Sequence, residues 1–101
     1  MNATEKQAER ADLGQLEPFN PHKAIGVQEA CEKLLRGRGG RPLNVQLGLR
    51  YAKHGCRPLG KGGPVVVLPT VKYAGQRMLM TSWAVAFERK RIEVGAEQAR
   101  R

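Results

Sequence analysis

The sequence predicts a small α+β domain in which two helices, a β-hairpin and a third helix follow one another along the chain. In three segments apolar residues recur at three- and four-residue steps, the period of a helix buried on one side. Before the third segment, alternating apolar and polar residues flank an Ala-Gly pair, which is typical of a β-hairpin. Because a two-stranded hairpin is unstable alone, it must pack on the helices. The predicted fold class is therefore a small winged helix-turn-helix.

The charge of the chain is large and unevenly distributed. Eighteen Lys and Arg stand against nine Asp and Glu, for a net charge of +9. Residues 1–20 hold two basic and four acidic residues, so residues 21–101 hold sixteen basic and five acidic ones, a net charge of +11. A polyanionic partner would relieve the self-repulsion of such a domain, and nucleic acid is the commonest such partner. The charge alone does not choose DNA over RNA.

Several other classes of protein are disfavoured by the sequence. There is no run of eighteen apolar residues and no segment with opposed apolar and cationic faces, so no membrane partner is expected. The polar start MNATEKQAERAD does not resemble a secretory signal, which predicts a cytoplasmic protein with Cys31 and Cys56 reduced. With His22 and His54 these cysteines lack the order and spacing of a zinc finger, so no metal or other cofactor is expected. No catalytic arrangement or Walker pattern is recognisable, and the chain is not expected to be an enzyme.

The chain is predicted to divide into an arm, a domain and a tail. Residues 1–22 are expected to form a flexible or partly helical N-terminal arm, because the segment TEKQAERADLG, residues 4–14, has too few apolar positions for docking. Those positions are Ala8, Ala11 and Leu13. The Asn20-Pro21 pair favours a turn, and the domain is predicted to span residues 23–94. Residues 95–101 begin with a glycine and are predicted to fray.

The first helix is predicted within AIGVQEACEKLLRGRGG, residues 24–40, and is expected to end at the glycines that begin with Gly37. Its apolar stripe consists of Val27, Ala30, Cys31, Leu34 and Leu35. Three arginines, Arg36, Arg38 and Arg41, make the exit loop strongly positive, which favours contact with phosphate groups. A mobile basic loop without a bound partner is the alternative.

The second helix is predicted within RPLNVQLGLRYAKHGC, residues 41–56, with Asn44 as its N-cap and Gly55 as its C-terminal stop. Its inward face is predicted to consist of Val45, Leu49 and Ala52. Polar residues occupy the rest of its surface, namely Gln46, Arg50, Lys53 and His54. As the second of two closely joined helices, followed by a hairpin, this segment is predicted to be a recognition helix for a DNA groove.

The hairpin is predicted within VVVLPTVKYAGQRMLMT, residues 65–81, with Ala74-Gly75 at the turn and Gln76–Met80 as the return strand. Pro69 cannot donate to a ladder, so the first strand is expected to be broken or at an edge there. A third helix, SWAVAFERKRIEV, follows a cap at Thr81 or Ser82. Its inner stripe is predicted to be Trp83, Ala86, Phe87 and Val94, with Ile92 or Lys90 flanking it. Its outward residues are predicted to be Glu88, Arg89 and Arg91.

Three segments carry a family resemblance: AIGVQEACEKLL, NVQLGLRYAKHG and VKYAGQRMLMTSWAVAFE, which together span about residues 23–93. They resemble the excisionase-like branch of the mercury-resistance-regulator winged-helix superfamily. The resemblance implies double-stranded DNA binding by a small protein of a phage or mobile element. Such a protein acts in DNA recombination as a directionality factor or in transcription regulation, with an integrase and further copies of itself on DNA as candidate partners.

The resemblance also implies individual DNA contacts. Those from the second helix are Gln46, Arg50 and Lys53, and those from the wing are Lys72, Gln76 and Arg77. The alternatives are solvated charges on the helix, and hairpin charges that discourage the pairing of strand edges. Gly48 departs from the pattern, since it stands where the family has an apolar residue and costs roughly 1 kcal/mol against Ala in a helix.

Two rival functions remain open. An RNA- or ribosome-associated basic protein would bind through RGRGGR and RPLGKGG, with the helices as support. Exposed aromatic residues on a sheet would favour RNA by stacking on bases, and Tyr73 is the candidate. The other rival is an adaptor whose basic face binds an acidic protein, for which duplex binding would be weak or absent.

Overall fold

A computed structural model describes residues 10–58 and 63–99, without the side chains of Arg38 and residues 97–99. The start of the predicted arm, residues 59–62 of the predicted loop and the last two residues lie outside this description. The described elements are β1 (Ile25–Gly26), α1 (Val27–Lys33), a 3₁₀ turn (Arg38–Gly40), α2 (Val45–Lys53), β2 (Val71–Tyr73), β3 (Gln76–Leu79) and α3 (Thr81–Ala99). The strands form one antiparallel sheet in the order β1-β3-β2. The described chain is a small α+β fold with three α-helices and a three-stranded antiparallel sheet.

One hydrophobic core joins these elements. Its largest fully buried side chains are Phe87, Leu35, Leu68, Leu79, Val66 and Cys31. Cys31 lies in α1 and Leu35 just after it, and Val66 and Leu68 lie before β2. Leu79 lies in β3 and Phe87 in α3. The apolar stripe predicted for the first helix is confirmed, with Leu34 half-buried and its other four members buried.

The helix α1 is shorter than predicted. It ends at Lys33, before the glycines of RGRGGR, with Leu34 as its C-cap. The backbone N–H groups of Leu34 and Leu35 both donate to the carbonyl oxygen of Ala30 at 2.8 Å. The bond from Leu35 spans five residues instead of the four of an α-helix, so the chain leaves the helix here. Leu35 is fully buried in the core. The connection to α2 therefore covers residues 34–44 and is longer than the predicted bend.

The inward face of α2 also differs from the prediction. Gly48 is buried and Leu49 is 40% exposed, while Val45 and Ala52 are half-buried. A Cβ atom at Gly48 would overlap the Sγ atom of Cys31, so α1 and α2 approach more closely than a larger residue would permit. The packed stripe is centred on Gly48, one position away from the predicted one, and this turns Leu49 towards solvent.

The turn of the hairpin agrees with the prediction. Ala74 and Gly75 both have positive φ values, 52° and 78°, the combination that a two-residue type I′ turn requires. The return strand ends at Leu79 rather than at Met80. The first strand is broken at Pro69, as predicted, so β2 begins only at Val71.

The segment before that break pairs elsewhere. Val65 and Val66 form isolated bridges with Arg10 and Cys56. The third strand of the sheet comes from Ile25–Gly26, which pairs with β3, although the sequence predicts these two residues within the first helix.

The arm is docked from Arg10 onward, contrary to the prediction, and its described part contains no helix. The indole N–H of Trp83 donates to the carbonyl oxygen of Glu17 at 2.8 Å. The ring of Phe19 lies 5.8 Å from that of Tyr73 and 6.1 Å from that of Trp83. The apolar residues of the arm that pack against the core are Ala11, Leu13, Leu16 and Phe19. The packed domain therefore begins well before residue 23.

The helix α3 continues past the glycine that was predicted to end it. Gly95 lies inside the helix and does not take the left-handed conformation with which glycine ends helices. Trp83, Phe87 and Val94 are buried, as predicted, and Ala86 is half-buried. Among the described helices, none is long and apolar enough to cross a lipid bilayer.

Candidate nucleic-acid interface

A long stretch of the chain, from Lys33 to Phe87, contains no Asp or Glu. Its basic residues are Lys33, Arg36, Arg38, Arg41, Arg50, Lys53, Arg57, Lys61, Lys72 and Arg77. The stretch includes α2 and the hairpin, whereas the carboxylates belong to the N-terminal segment, α1 and α3. In the described part of the chain, the ion pairs lie within α1 and within α3. The positive charge of α2 and the hairpin is therefore left uncompensated.

The outer face of α2 brings together three of the predicted contacts. Gln46, Arg50 and Lys53 are all exposed. Steps of four and three residues place them within roughly 60° of one another around the helix. Leu49 lies at the edge of the same surface. These four residues are called the α2 outer face below, and the opposite side of the helix packs on α1 through Gly48.

Both ends of α2 are held as the sequence predicted. The side chain of Asn44 accepts a hydrogen bond from the backbone N–H of Gln46 at 2.8 Å, and Gly55 follows the helix with a φ of 85°. The N–H of Leu68 donates to the carbonyl oxygen of Tyr51 at 3.2 Å. Because β2 begins three residues after Leu68, the base of the hairpin lies near the last turn of α2.

The hairpin carries two cations directly opposite each other. Lys72 and Arg77 are paired across β2 and β3, and both are exposed. Like charges in this position destabilise a sheet. A hydrogen bond from Nη1 of Arg77 to Oγ1 of Thr70 at 3.1 Å orients the guanidinium without neutralising it. Gln76 pairs with Tyr73 instead, so it points to the other face of the hairpin.

The arginine-glycine loop between α1 and α2 folds back on itself. Arg36 and Pro42 form an isolated antiparallel bridge. Arg41 is exposed, and with Asn44 and Leu47 it lines an open depression that joins the loop to the first turn of α2. The side chain of Arg38, another predicted contact, lies outside the described part of the structure.

Arg36 has a role that the sequence did not suggest. Its Nη1 donates to the carbonyl oxygens of Glu32 at 3.2 Å and Leu35 at 3.1 Å, and its Nη2 donates to that of Lys33 at 3.1 Å. The carbonyl groups of Glu32 and Lys33 belong to the last turn of α1, where a helix end leaves acceptors without partners. Arg36, predicted as a phosphate contact, therefore caps α1.

A mostly buried polar cluster attaches the loop to α3. Nη2 of Arg91 donates to the carbonyl oxygen of Arg36 at 2.7 Å and to Oε1 of Glu88 at 2.6 Å. The side chains of Arg91 and Glu88 are only 22% and 14% exposed, so their predicted outward orientation is wrong. The helical spacing of the sequence indicates this burial, because Arg91 lies four residues after Phe87 and three before Val94, both of which are buried.

The titration of the neighbouring groups follows from burial. Desolvation, and next the nearby Cys56 thiol, raise the pKa of Tyr51. Desolvation also raises the pKa of Cys56, although its hydrogen bond with Tyr51 acts the other way. Burial, with a smaller contribution from Glu32, raises the pKa of Cys31. Both cysteines are therefore protonated at neutral pH, a state poorly suited to nucleophilic chemistry.

The candidate interface comprises two exposed surfaces, the α2 outer face and the Lys72–Arg77 pair. It offers guanidinium and ammonium groups, which bind phosphate, and the Gln46 amide, which both donates and accepts hydrogen bonds. In comparisons of the chain with known proteins, no family model, no curated protein and no solved structure matches it.

Proposed function

We propose that this protein binds double-stranded DNA as a small winged helix-turn-helix protein. The observation that carries the proposal is the exposure of Gln46, Arg50 and Lys53 on one face of α2, in a stretch of chain without carboxylates. Lys and Arg neutralise phosphates and release counterions from DNA. Gln and Arg can each form two hydrogen bonds with the major-groove edges of adenine and guanine.

The arrangement of elements supports the same proposal. In helix-turn-helix proteins the second of two packed helices enters the major groove. Here α2 follows α1 and packs closely on it through Gly48. The hairpin begins near the end of α2 and carries the Lys72–Arg77 pair. A phosphate bound between these cations would relieve their repulsion.

The biological role is proposed from the resemblance to excisionase-like proteins. It is that of a recombination directionality factor or a transcription regulator of a phage or mobile element. An integrase and further copies of the chain are the candidate partners on DNA. Duplex DNA with a positioned binding site is the ligand in either role.

The RNA alternative has less support. Sequence-specific recognition of RNA stacks unpaired bases on exposed aromatic rings. Among the residues of β1, β2 and β3, Tyr73 is the only aromatic one, and Phe19 packs against its ring at 5.8 Å. Tyr73 is 47% exposed, but one ring offers little surface for stacking several bases.

The proposal is tested by gel shift with duplex DNA, duplex RNA and single-stranded DNA of one sequence. Duplex DNA should bind most tightly. If about six phosphates are neutralised, log affinity should fall against log salt with a slope near −5. Equal or tighter binding of RNA would overturn the proposal, as would an affinity that does not depend on salt.

Matched variants locate the interface. Arg50→Ala and Lys53→Ala should each weaken duplex binding by roughly 5- to 100-fold, the usual range for a lost side-chain contact. Arg89→Ala removes the same charge from an exposed site on α3 and should leave the affinity within about two-fold of the wild type. Equal losses from the changes on both helices would argue against binding through α2.

A further inference from the structure

The α2 outer face contains one apolar side chain among polar ones. Leu49 is 40% exposed, and the other exposed large apolar residues of the described chain, Tyr73, Val85 and Ile92, lie on the hairpin and α3. Leu49 is three residues after Gln46 and four before Lys53, so it is the surface neighbour of both. An aliphatic group therefore lies within the surface proposed to contact DNA.

The chemistry of the major groove limits what Leu49 can contact. A leucine side chain forms no favourable contact with phosphate, but removing its apolar surface from water stabilises a complex. The apolar group on the floor of the major groove is the C5-methyl of thymine. Cytosine and the purines present hydrogen-bond donors and acceptors at that edge and no methyl group.

The spacing of Gln46 and Leu49 agrees with contacts to neighbouring base pairs. Three residues of helix rise about 4.5 Å, close to the 3.4 Å between successive base pairs. A Gln side chain pairs with the N6 and N7 atoms of adenine. Both residues therefore favour A·T pairs at adjacent positions of one site.

We propose that Leu49 is a specificity-determining residue that contacts thymine methyl groups in the major groove. The sites bound most tightly then contain A·T pairs beneath Gln46 and Leu49. This inference rests on the proposed binding of duplex DNA and adds the chemical class of base that α2 prefers.

The experiment removes the methyl group without changing base pairing. A preferred duplex is first selected from a random pool, and its thymines are then replaced one at a time by deoxyuridine, which lacks the C5-methyl. At one or two positions, replacing thymine by deoxyuridine should weaken binding of the duplex by the wild type about four-fold. This factor corresponds to the ~0.8 kcal/mol of burying one methyl group. Leu49→Ala should bind the thymine and uracil duplexes equally.

The chain offers a matched control. Ile92→Ala truncates an aliphatic side chain on α3 that is 64% exposed, and it should keep the full preference for thymine. Circular dichroism and thermal unfolding of Leu49→Ala should match the wild type, because Leu49 lies outside the buried core.

The possible failures are distinguishable. A wild type that is insensitive to uracil, a preference that survives in Leu49→Ala, or selected sites without thymine would each overturn the inference. In all three cases salt-dependent binding of duplex DNA would still support the proposed function. Absence of any duplex binding by the wild type would overturn both the inference about Leu49 and the proposed function.

Discussion

The guanidinium group of Arg91, in the middle of α3, donates a hydrogen bond to the backbone carbonyl of Arg36 at 2.7 Å. The same nitrogen binds the carboxylate of Glu88. Because Arg36 in turn caps α1 through the carbonyl groups of Glu32 and Lys33, one network connects the end of α1, the arginine-glycine loop and α3. The loop that leads to α2 is thus attached to the core by polar contacts.

We predict that Arg91→Ala lowers the free energy of unfolding by about 2–3 kcal/mol. The change leaves the mostly buried Glu88 carboxylate and the Arg36 carbonyl without their donor, and unpaired buried groups are costly. Urea denaturation followed by circular dichroism measures the loss. Arg89→Ala, at an exposed site two residues away, should change stability by less than about 0.5 kcal/mol.

A second variant tests the cause. If the unpaired carboxylate is responsible, Arg91→Ala combined with Glu88→Gln should be more stable than the sum of the two single changes predicts. Additive losses would show that the two side chains do not act as a pair.

Gly48→Ala is predicted to destabilise the protein by about 1–3 kcal/mol, although alanine is the better helix former. The new methyl would overlap the Sγ atom of Cys31, and overpacking of a core costs more than the roughly 1 kcal/mol of helix propensity gained. Thermal unfolding measures the effect. Adding Cys31→Ala should recover part of the loss, because it removes the overlapping atom.

Gly95→Ala is the matched control for this prediction. It makes the same change inside α3, where the nearest atom to the new methyl would be Cβ of Pro58 at 3.8 Å, an ordinary contact. It should therefore stabilise the protein by about 0.5–1 kcal/mol. A similar loss at both glycines would show that close packing at Gly48 is not the cause.

The Lys72–Arg77 pair predicts opposite effects on stability and binding. Lys72→Gln removes the repulsion across the hairpin and should raise the free energy of unfolding by about 0.2–1 kcal/mol. The same change should weaken duplex DNA binding and reduce the salt slope by about 0.9 if Lys72 neutralises one phosphate. Denaturation and gel shift on one protein preparation measure both quantities.

The control for Lys72 is Lys33→Gln. Lys33 is an exposed cation that pairs with Glu29 on α1 at 3.5 Å, so its loss should leave stability and DNA affinity nearly unchanged. A fall in both quantities for Lys72→Gln would mean that the hairpin needs this lysine for its structure.

Local signals in the sequence predicted much of the fold. Asn44 and Gly55 mark the two ends of α2 as expected, and Ala74-Gly75 forms the hairpin turn. Each of these features depends on a few neighbouring residues, such as a side chain that accepts a backbone N–H or a pair that tolerates positive φ. The polar outer face of α2 could be predicted for the same reason, because a helical period places Gln46, Arg50 and Lys53 together.

The features that were missed depend on residues distant in sequence. By helical spacing alone, Leu49 fits the inward stripe of α2. The close approach of Cys31 and Gly48 instead places Gly48 at the centre of the packed face and leaves Leu49 towards solvent. Ile25–Gly26 becomes a strand only because β3 is available as a partner. Nothing local shows that the carbonyl group of Glu17 will accept a hydrogen bond from Trp83, 66 residues away.

Phe19→Ala tests the docking of the N-terminal segment, which the sequence had predicted to be an undocked arm. The Phe19 ring packs against Tyr73 of the hairpin and Trp83 of α3, so its loss should cost about 2 kcal/mol, less than for a fully buried aromatic residue. Trp83 is the only tryptophan of the chain and is 7% exposed, so its fluorescence reports on this site. The emission should shift to longer wavelength as water reaches the indole. Pro18→Ala, at an exposed neighbouring position, should leave both signals unchanged, and wild-type emission and stability in Phe19→Ala would show that the segment does not dock in solution.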